Sequence, residues 1–306
     1  MKNYKYDLPY HDGWKKMSGK PELSFANDYL FRSLLQADEK TLRLMTSDLM
    51  HLKLEEITDI EITNPIILGE NVDDKEIWLD IRAVLNLNTE LNLEMQLTKI
   101  DGWIERSMLY ECRNFDSLSH GDDYIDTGKA VQISFLDFTL FPKKPEFFAT
   151  YLMKSVKYPE NVYTKKFQIS AIDMTRIDLA TEEDKRNHID LWARLFKSTS
   201  WEEVKMIAEK NPEMEQTVSS MWQLSEDEKI REQMRRRRAN ERYHQRILDK
   251  VNRLEQETEA LASENDALTS ELDTLTSEND ALTSELVALR ARLAQYEKQY
   301  ESDTDT

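Results

Sequence analysis

The sequence predicts an α/β body, then an all-helical stretch, then a parallel two-stranded coiled coil. Three observations carry this prediction. Residues 77–83 and 91–97 alternate apolar and polar side chains with period two, the pattern of strands with one face in a core. Segments 24–50 and 101–118 carry apolar residues near helical spacing. Leucines recur every seven residues from Leu254 to Leu289.

In chain order, residues 1–23 form a polar lead-in that contains aromatics. Ser24 to Met50 reads as one helix, with Ser24 or Asn27 as its cap and Phe31, Leu34, Leu35, Leu42, Met45 and Leu49 on its apolar stripe. Ile57–Thr63 reads as a strand ended by Asn64-Pro65. The period-two hairpin follows. Asp101 to Leu118 reads as a helix with Ile104, Met108 and Phe115 inward. Residues 129–140, Phe147–Met153 and Lys166–Met174 read as three more strands. From Thr181 the chain reads helical, and Glu182, Glu183 and Asp184 form an acidic first turn. The expected organisation is a core over 24–175, a helical extension over 176–230, a basic helix over 231–253, a coiled coil over 254–295 and a disordered tail over 296–306.

The hairpin holds the chemistry. Its odd positions are apolar: Ile77, Leu79, Ile81 and Ala83, then Leu91, Leu93, Met95 and Leu97. The even face of the second strand is Asn92, Glu94 and Gln96. Asn86 and Asn88 tolerate turn conformations, so a turn centred on Leu87 sets Asp80 opposite Glu94. Opposed Cβ atoms lie roughly 5 Å apart, and like charges there destabilise a sheet. A divalent cation converts that repulsion into coordination. Gln96 shares the face, one pleat on. The pattern alone leaves a second reading open, a half-exposed hairpin with polar residues on its wet side.

Composition narrows the classes. The 306 residues are 40% apolar and 33% charged, enough for one or two domains with a real core. The one cysteine, Cys112, excludes an intramolecular disulfide framework and fits a reducing compartment. No CxxC or HxxxH spacing suggests zinc. His11, His51, His120, His188 and His244 are scattered and no nucleophile-elbow spacing exists, so Ser/His/Asp hydrolysis is unsupported. Residues 1–7 lack the apolar run of a signal peptide, and no stretch approaches the roughly 20 apolar residues of a membrane span. The expectation is a cytoplasmic protein without membrane contact.

Net charge is −18, which argues against nucleic acid, but the charge is uneven. Residues 231–253 hold nine Lys/Arg against three Asp/Glu. Residues 254–289 hold ten acids and no base. An acidic body that binds DNA needs local basic contacts or metal ions at the phosphates.

Leu254, Leu261, Leu268, Leu275, Leu282 and Leu289 define one seam position, with Ile247 a heptad earlier. The companion position is Val251, Thr258, Asn265, Leu272, Asn279, Leu286 and Leu293. A buried Asn there favours two parallel strands. The block Glu-Asn-Asp-Ala-Leu-Thr-Ser-Glu-Leu occurs at 264–272 and again at 278–286. Glu257, Glu264, Glu271, Glu278 and Glu285 flank the seam opposite Ala262, Thr269, Thr276, Thr283 and Arg290. Few interhelical ion pairs are therefore available, and the expected homodimer is moderately stable.

Set in order, the local motifs form a longer pattern. It runs Asn27-Asp28-Tyr29-Leu30-Phe31, Leu79-Asp80-Ile81-Arg82-Ala83 and Leu93-Glu94-Met95-Gln96. It continues with Arg106-Ser107-Met108-Leu109-Tyr110, Gly121-Asp122-Asp123-Tyr124 and Val131-Gln132-Ile133-Ser134-Phe135. This resembles the Rpn family of recombination-promoting nucleases and transposases, in the PD-(D/E)XK nuclease superfamily, over about Ser24 to Asp227. The resemblance implies a restriction-endonuclease-like α/β core with a mixed central sheet and flanking helices. It also implies Mg2+-dependent hydrolysis of DNA phosphodiesters, with Mn2+ as a substitute ion.

Asp80 and Glu94 match the family's metal-binding acids, and Gln96 stands where many superfamily members have Lys. Leu79 replaces the Pro of the name-giving motif. Gln96 can orient the attacking water but carries no positive charge. Lys99, three residues on, is a candidate for that charge if the strand has ended by then. Asp28 is a candidate auxiliary acid or a helix N-terminal charge. Arg82 is a candidate for phosphate or for a carboxylate partner. Arg106 and Tyr110, four apart on one helix, are candidates for DNA contact or for packing.

Arg235, Arg236, Arg237 and Arg238 precede the heptads as in a basic-zipper protein, and are candidate DNA contacts. A solvated basic helix fits the same run. The expectation is an endonuclease acting on double-stranded DNA as a homodimer. The alternatives are a DNA-binding dimer without chemistry and a scaffold built on a nuclease fold.

Overall fold

The computed structural model describes residues 8–63, 66–67, 77–78, 81–116 and 123–304. Asp80, Leu79, Asn64-Pro65 and Gly121-Asp122 lie outside the described residues. The chain divides into two units, Met1–Glu241 and Arg242–Thr306.

Where one helix was expected over 24–50 there are two, α1 (Asp28–Ala37) and α2 (Glu39–Met50). Asn27 caps α1, its side chain accepting from the amides of Tyr29 and Leu30. Asp38 breaks the run because its extended backbone lets it cap α2, accepting from Thr41 N at 3.1 Å. Its carboxylate also accepts from the Thr41 hydroxyl, Ser220 and Gln216, so it is fully buried and fully used.

The strands are β1 (Ile60–Ile62), β2 (Ile66–Ile67), β3 (Ile77–Trp78), β4 (Ile81–Leu85) and β5 (Thr89–Gln96). Then come α3 (Trp103–Phe115), β6 (Lys129–Leu136), β7 (Phe148–Lys154) and β8 (Val162–Asp173). A mixed six-stranded sheet has the order β1-β4-β5-β6-β8-β7. The β5–β6 and β6–β8 pairs are parallel and the other pairs antiparallel. The β4–β5 pairs Ile81↔Leu93 through Leu85↔Thr89 are those of a turn centred on Leu87. Asn86 and Leu87 take the left-handed conformation that this tight turn requires (φ 51° and 64°). The Asp80–Glu94 pair itself lies outside the described residues.

The odd residues of β5 face the main core, as their alternation predicts. Leu91, Leu93 and Met95 pack there with Ile81, Val131, Ile133 and Phe135. Phe31 of α1, Phe135 of β6 and Phe196 meet edge to face at 5.4–5.8 Å, an arrangement that suits the ring quadrupoles. Phe196 belongs to the helices after the sheet: α4 (Glu182–Arg186), α5 (Ile189–Lys197), α6 (Trp201–Lys210) and α7 (Glu215–Glu226). Thr181 and Asp184 cap α4 reciprocally. These helices share the sheet's core rather than forming one of their own.

The other sheet face departs from expectation. It is covered by α3, which contacts β5, β6 and β8. Asn92, Glu94, Gln132 and Ser134 are therefore buried, not wet. Ile104 and Met108 are 40% and 49% exposed, whereas Trp103, Ser107, Glu111 and Asn114 are buried. The sheet face beneath α3 is polar, so the helix turns its own polar side to it. Of the three residues expected inward, Phe115 does pack on the sheet, meeting Phe167 edge to face at 5.8 Å, whereas apolarity misplaced Ile104 and Met108.

The last helix, α8 (Glu228–Thr304), joins the basic run, the heptads and most of the tail in one element. No Gly or Pro interrupts residues 228–304, so nothing in the sequence ends it. Among the described residues no helix is long and apolar enough to cross a membrane.

Candidate functional site

Glu94 and Gln96 extend from β5 on the face beneath α3. Glu94 is 6% exposed. Arg106, in the first turn of α3, donates from Nη2 to Glu94 Oε1 and, at 3.0 Å, to Gln96 Oε1. Gln132 Nε2 lies 3.5 Å from Glu94 Oε2 and 3.2 Å from Ser134 Oγ. Gln96 Nε2 donates to the carbonyl of Thr98 at 2.8 Å, which fixes its amide with the oxygen toward Arg106. The Tyr110 ring, one turn along α3, lies 5.4 Å from the guanidinium carbon of Arg106. A carboxylate, an amide and a guanidinium thus meet in one polar layer.

Burial pushes the Glu94 carboxyl above the usual carboxylate range, and Arg106 opposes that shift. Further under α3, burial pushes the Glu111 carboxyl up to about 8. Asn114 and the backbone of Gln132 and Gln168 oppose that shift, whereas both side-chain amide atoms of Asn92 and the side-chain oxygen of Gln132 lack a hydrogen-bond partner. Such a concentration of unsatisfied buried groups is unusual in a packed core.

The other candidates separate. Asp28 is the first residue of α1. Arg82 pairs with Glu90 at 3.1 Å, the carboxylate alternative of its two roles. Lys99 is exposed beyond the end of β5 and has no ion pair among the described residues. Arg235 pairs with Glu22, which also holds Arg231 at 3.0 Å. Arg236 pairs with Glu232 within its own helix. The side chain of Arg237 lies outside the described residues.

Arg238 lines a cleft of about 430 Å³ with Lys20, Lys197, Asn27, Leu97 and Thr98. Thr98 ties this cleft to Gln96. The acids at its edge are engaged: Asp137 with Lys197 at 2.8 Å, and Glu22 with Arg231 and Arg235. The reach of Met234 into the body, where it is 1% exposed, holds Arg238 there.

Sequence reasoning missed Gln132, although a signal was present. A strand buried on both faces in a parallel sheet reads as near-continuous apolar residues. Gln132 and Ser134 interrupt such a run at alternate positions and so mark the polar face.

No group of three or more His, Cys, Asp or Glu side chains able to hold a metal ion occurs among the described residues. The oxygens of Glu94 and Gln96 are nevertheless the hard donors that Mg2+ takes. No curated protein and no solved structure matches the chain. A family model described as PD-(D/E)XK nuclease family transposase matches residues 25–256.

Proposed function

Because this chain belongs to the PD-(D/E)XK nuclease family transposases, we propose that it is a Mg2+-dependent DNA endonuclease acting in recombination or transposition. The observation that carries the reading is the meeting of buried Glu94 with half-buried Gln96 and Arg106 in a polar layer between a mixed sheet and α3. Asp80 and Glu94 would hold Mg2+, or Mn2+ in its place. When bound, the ion lowers the pKa of a water and neutralises charge on the scissile phosphate.

The chain's own residues do the rest. The Gln96 oxygen would accept a hydrogen bond from the attacking water and so aim its lone pair. The low exposure of Glu94 keeps bulk water away, which strengthens every electrostatic contact in the layer. Lys20 and Arg238, without ion pairs among the described residues, would take phosphates of double-stranded DNA along the cleft.

Dimerisation through Leu254, Leu261, Leu268, Leu275, Leu282 and Leu289 would bring two sites to one duplex, which suits double-strand cleavage. These leucines are half exposed or more, so a second copy of the heptads would bury them. The test is hydrolysis of an end-labelled duplex by purified protein with Mg2+, Mn2+ or EDTA, alongside sedimentation velocity. Metal-dependent cleavage by a dimer supports the reading. Retardation of DNA without cleavage under any metal condition contradicts it, and leaves a non-catalytic DNA-binding dimer or scaffold. A monomer that still makes double-strand breaks contradicts the dimer step alone.

A further inference from the structure

We propose, resting on the nuclease reading, that Arg106 supplies the positive charge that Gln96 lacks, and that it holds Glu94 only until a divalent ion takes those oxygens. An ammonium two residues after the acidic ligand would sit beside the phosphate and offset its developing charge. Gln96 provides an amide at that position and no charge. The nearest lysine in sequence, Lys99, is exposed past the strand end. Arg106 reaches the same point from α3: its Nη2 touches both Glu94 Oε1 and Gln96 Oε1. Among the described residues it is the one cation paired with either side chain.

Two further features fit this guanidinium to such a move. Its Nε has no hydrogen-bond partner despite being shielded from water. A shielded donor left unpaired is unfavourable and calls for an acceptor, and a phosphate oxygen is a good match for a guanidinium fork. The Tyr110 face tethers the guanidinium without using an N–H, so it can leave Glu94 and remain in the layer.

The competition follows from charge. Glu94 Oε1 accepts from Arg106, and a divalent ion on that oxygen would repel the guanidinium. Arg106 therefore weakens metal binding while it promotes cleavage. A residue that merely braced α3 would support both.

The experiment is calorimetric titration of Mn2+ into the full chain without DNA, for wild type, Arg106→Gln and Arg106→Lys. Plasmid cleavage and circular dichroism accompany it. Arg106→Gln is expected to bind Mn2+ roughly tenfold more tightly, through loss of a like-charged neighbour, and to cleave on the order of 100-fold more slowly, through loss of a transition-state donor. Arg106→Lys keeps the charge and is expected to retain near-wild-type affinity and part of the cleavage.

A readout on wild type needs no variant. Solvent exchange of the Arg106 Nε–H by NMR is expected to accelerate on adding Mg2+, and exchange that does not change overturns the proposal. A wild type that binds and cleaves, with Arg106→Gln binding no tighter, overturns this inference alone. A wild type that neither binds Mn2+ nor cuts DNA overturns the nuclease reading and this inference with it.

Discussion

The body and the heptad helix depart from the usual partition of residues in opposite directions. In Met1–Glu241, the layer under α3 keeps Asn92, Glu111, Asn114 and Gln132 away from water, although several of their atoms have no partner. In Arg242–Thr306, Leu254, Leu261 and Leu282 are 50%, 65% and 61% exposed on a helix that presents them in register. Polar groups out of water and apolar groups in water are both unfavourable. For the leucine seam the proposed relief is a second copy, and for the polar layer the proposed arrivals, a cation and a phosphate, meet it at its Glu94 end.

The largest expected effect breaks the polar side of this comparison. Glu94→Ala removes a proposed ligand and leaves Arg106 without its carboxylate, so cleavage should fall on the order of 1000-fold or more. The fold should persist, since the change removes a buried charge whose pKa burial had raised. Initial rates on supercoiled plasmid measure the first expectation and thermal unfolding the second.

The next effect breaks the apolar side. Leu268→Glu with Leu275→Glu puts like charges into the proposed seam, and sedimentation velocity should report a monomer at micromolar concentration. Nicking should survive in this variant while linearisation drops. Retention of a dimer would move the interface elsewhere.

A milder change sharpens the seam. Asn265→Leu with Asn279→Leu should raise the melting temperature of α8 and relax the preference for two strands. Light scattering should then show species larger than a dimer.

The smallest effect concerns pH. Glu111 has a folded pKa of about 8 against an ordinary 4.5. The native state therefore binds more protons than the unfolded chain between those values, and stability falls as pH rises through that window. This contribution is complete below pH 4.5 and gone above 8. Glu111→Gln should flatten the decline in melting temperature between pH 6 and 9, and an unchanged slope would remove Glu111 as its source.

Legibility in the sequence followed how local each signal was. The β4–β5 register was readable because period two and an Asn-flanked turn specify it within about twenty residues. The Asn27 cap was readable for the same reason. The break at Asp38 was not, because Asp38 is held there by Ser220 and Gln216, far along the chain. The orientation of α3 was also hidden. Its polar face became the inner one only because β5 and β6 offer polar residues to it, a nonlocal fact. For the site, Glu94 and Gln96 could be singled out from a three-residue pattern. The Arg106 bond to both of them required knowing that α3 lies over that end of β5.

The measurement that tests the central claim most directly is cleavage of supercoiled plasmid by wild type, Asp80→Ala and Glu94→Ala, each with Mg2+, Mn2+ and EDTA. The claim expects nicked or linear DNA from wild type with either metal, none with EDTA, and none from either variant. Cleavage that persists in Glu94→Ala, or that ignores EDTA, would contradict a metal-dependent site on β5.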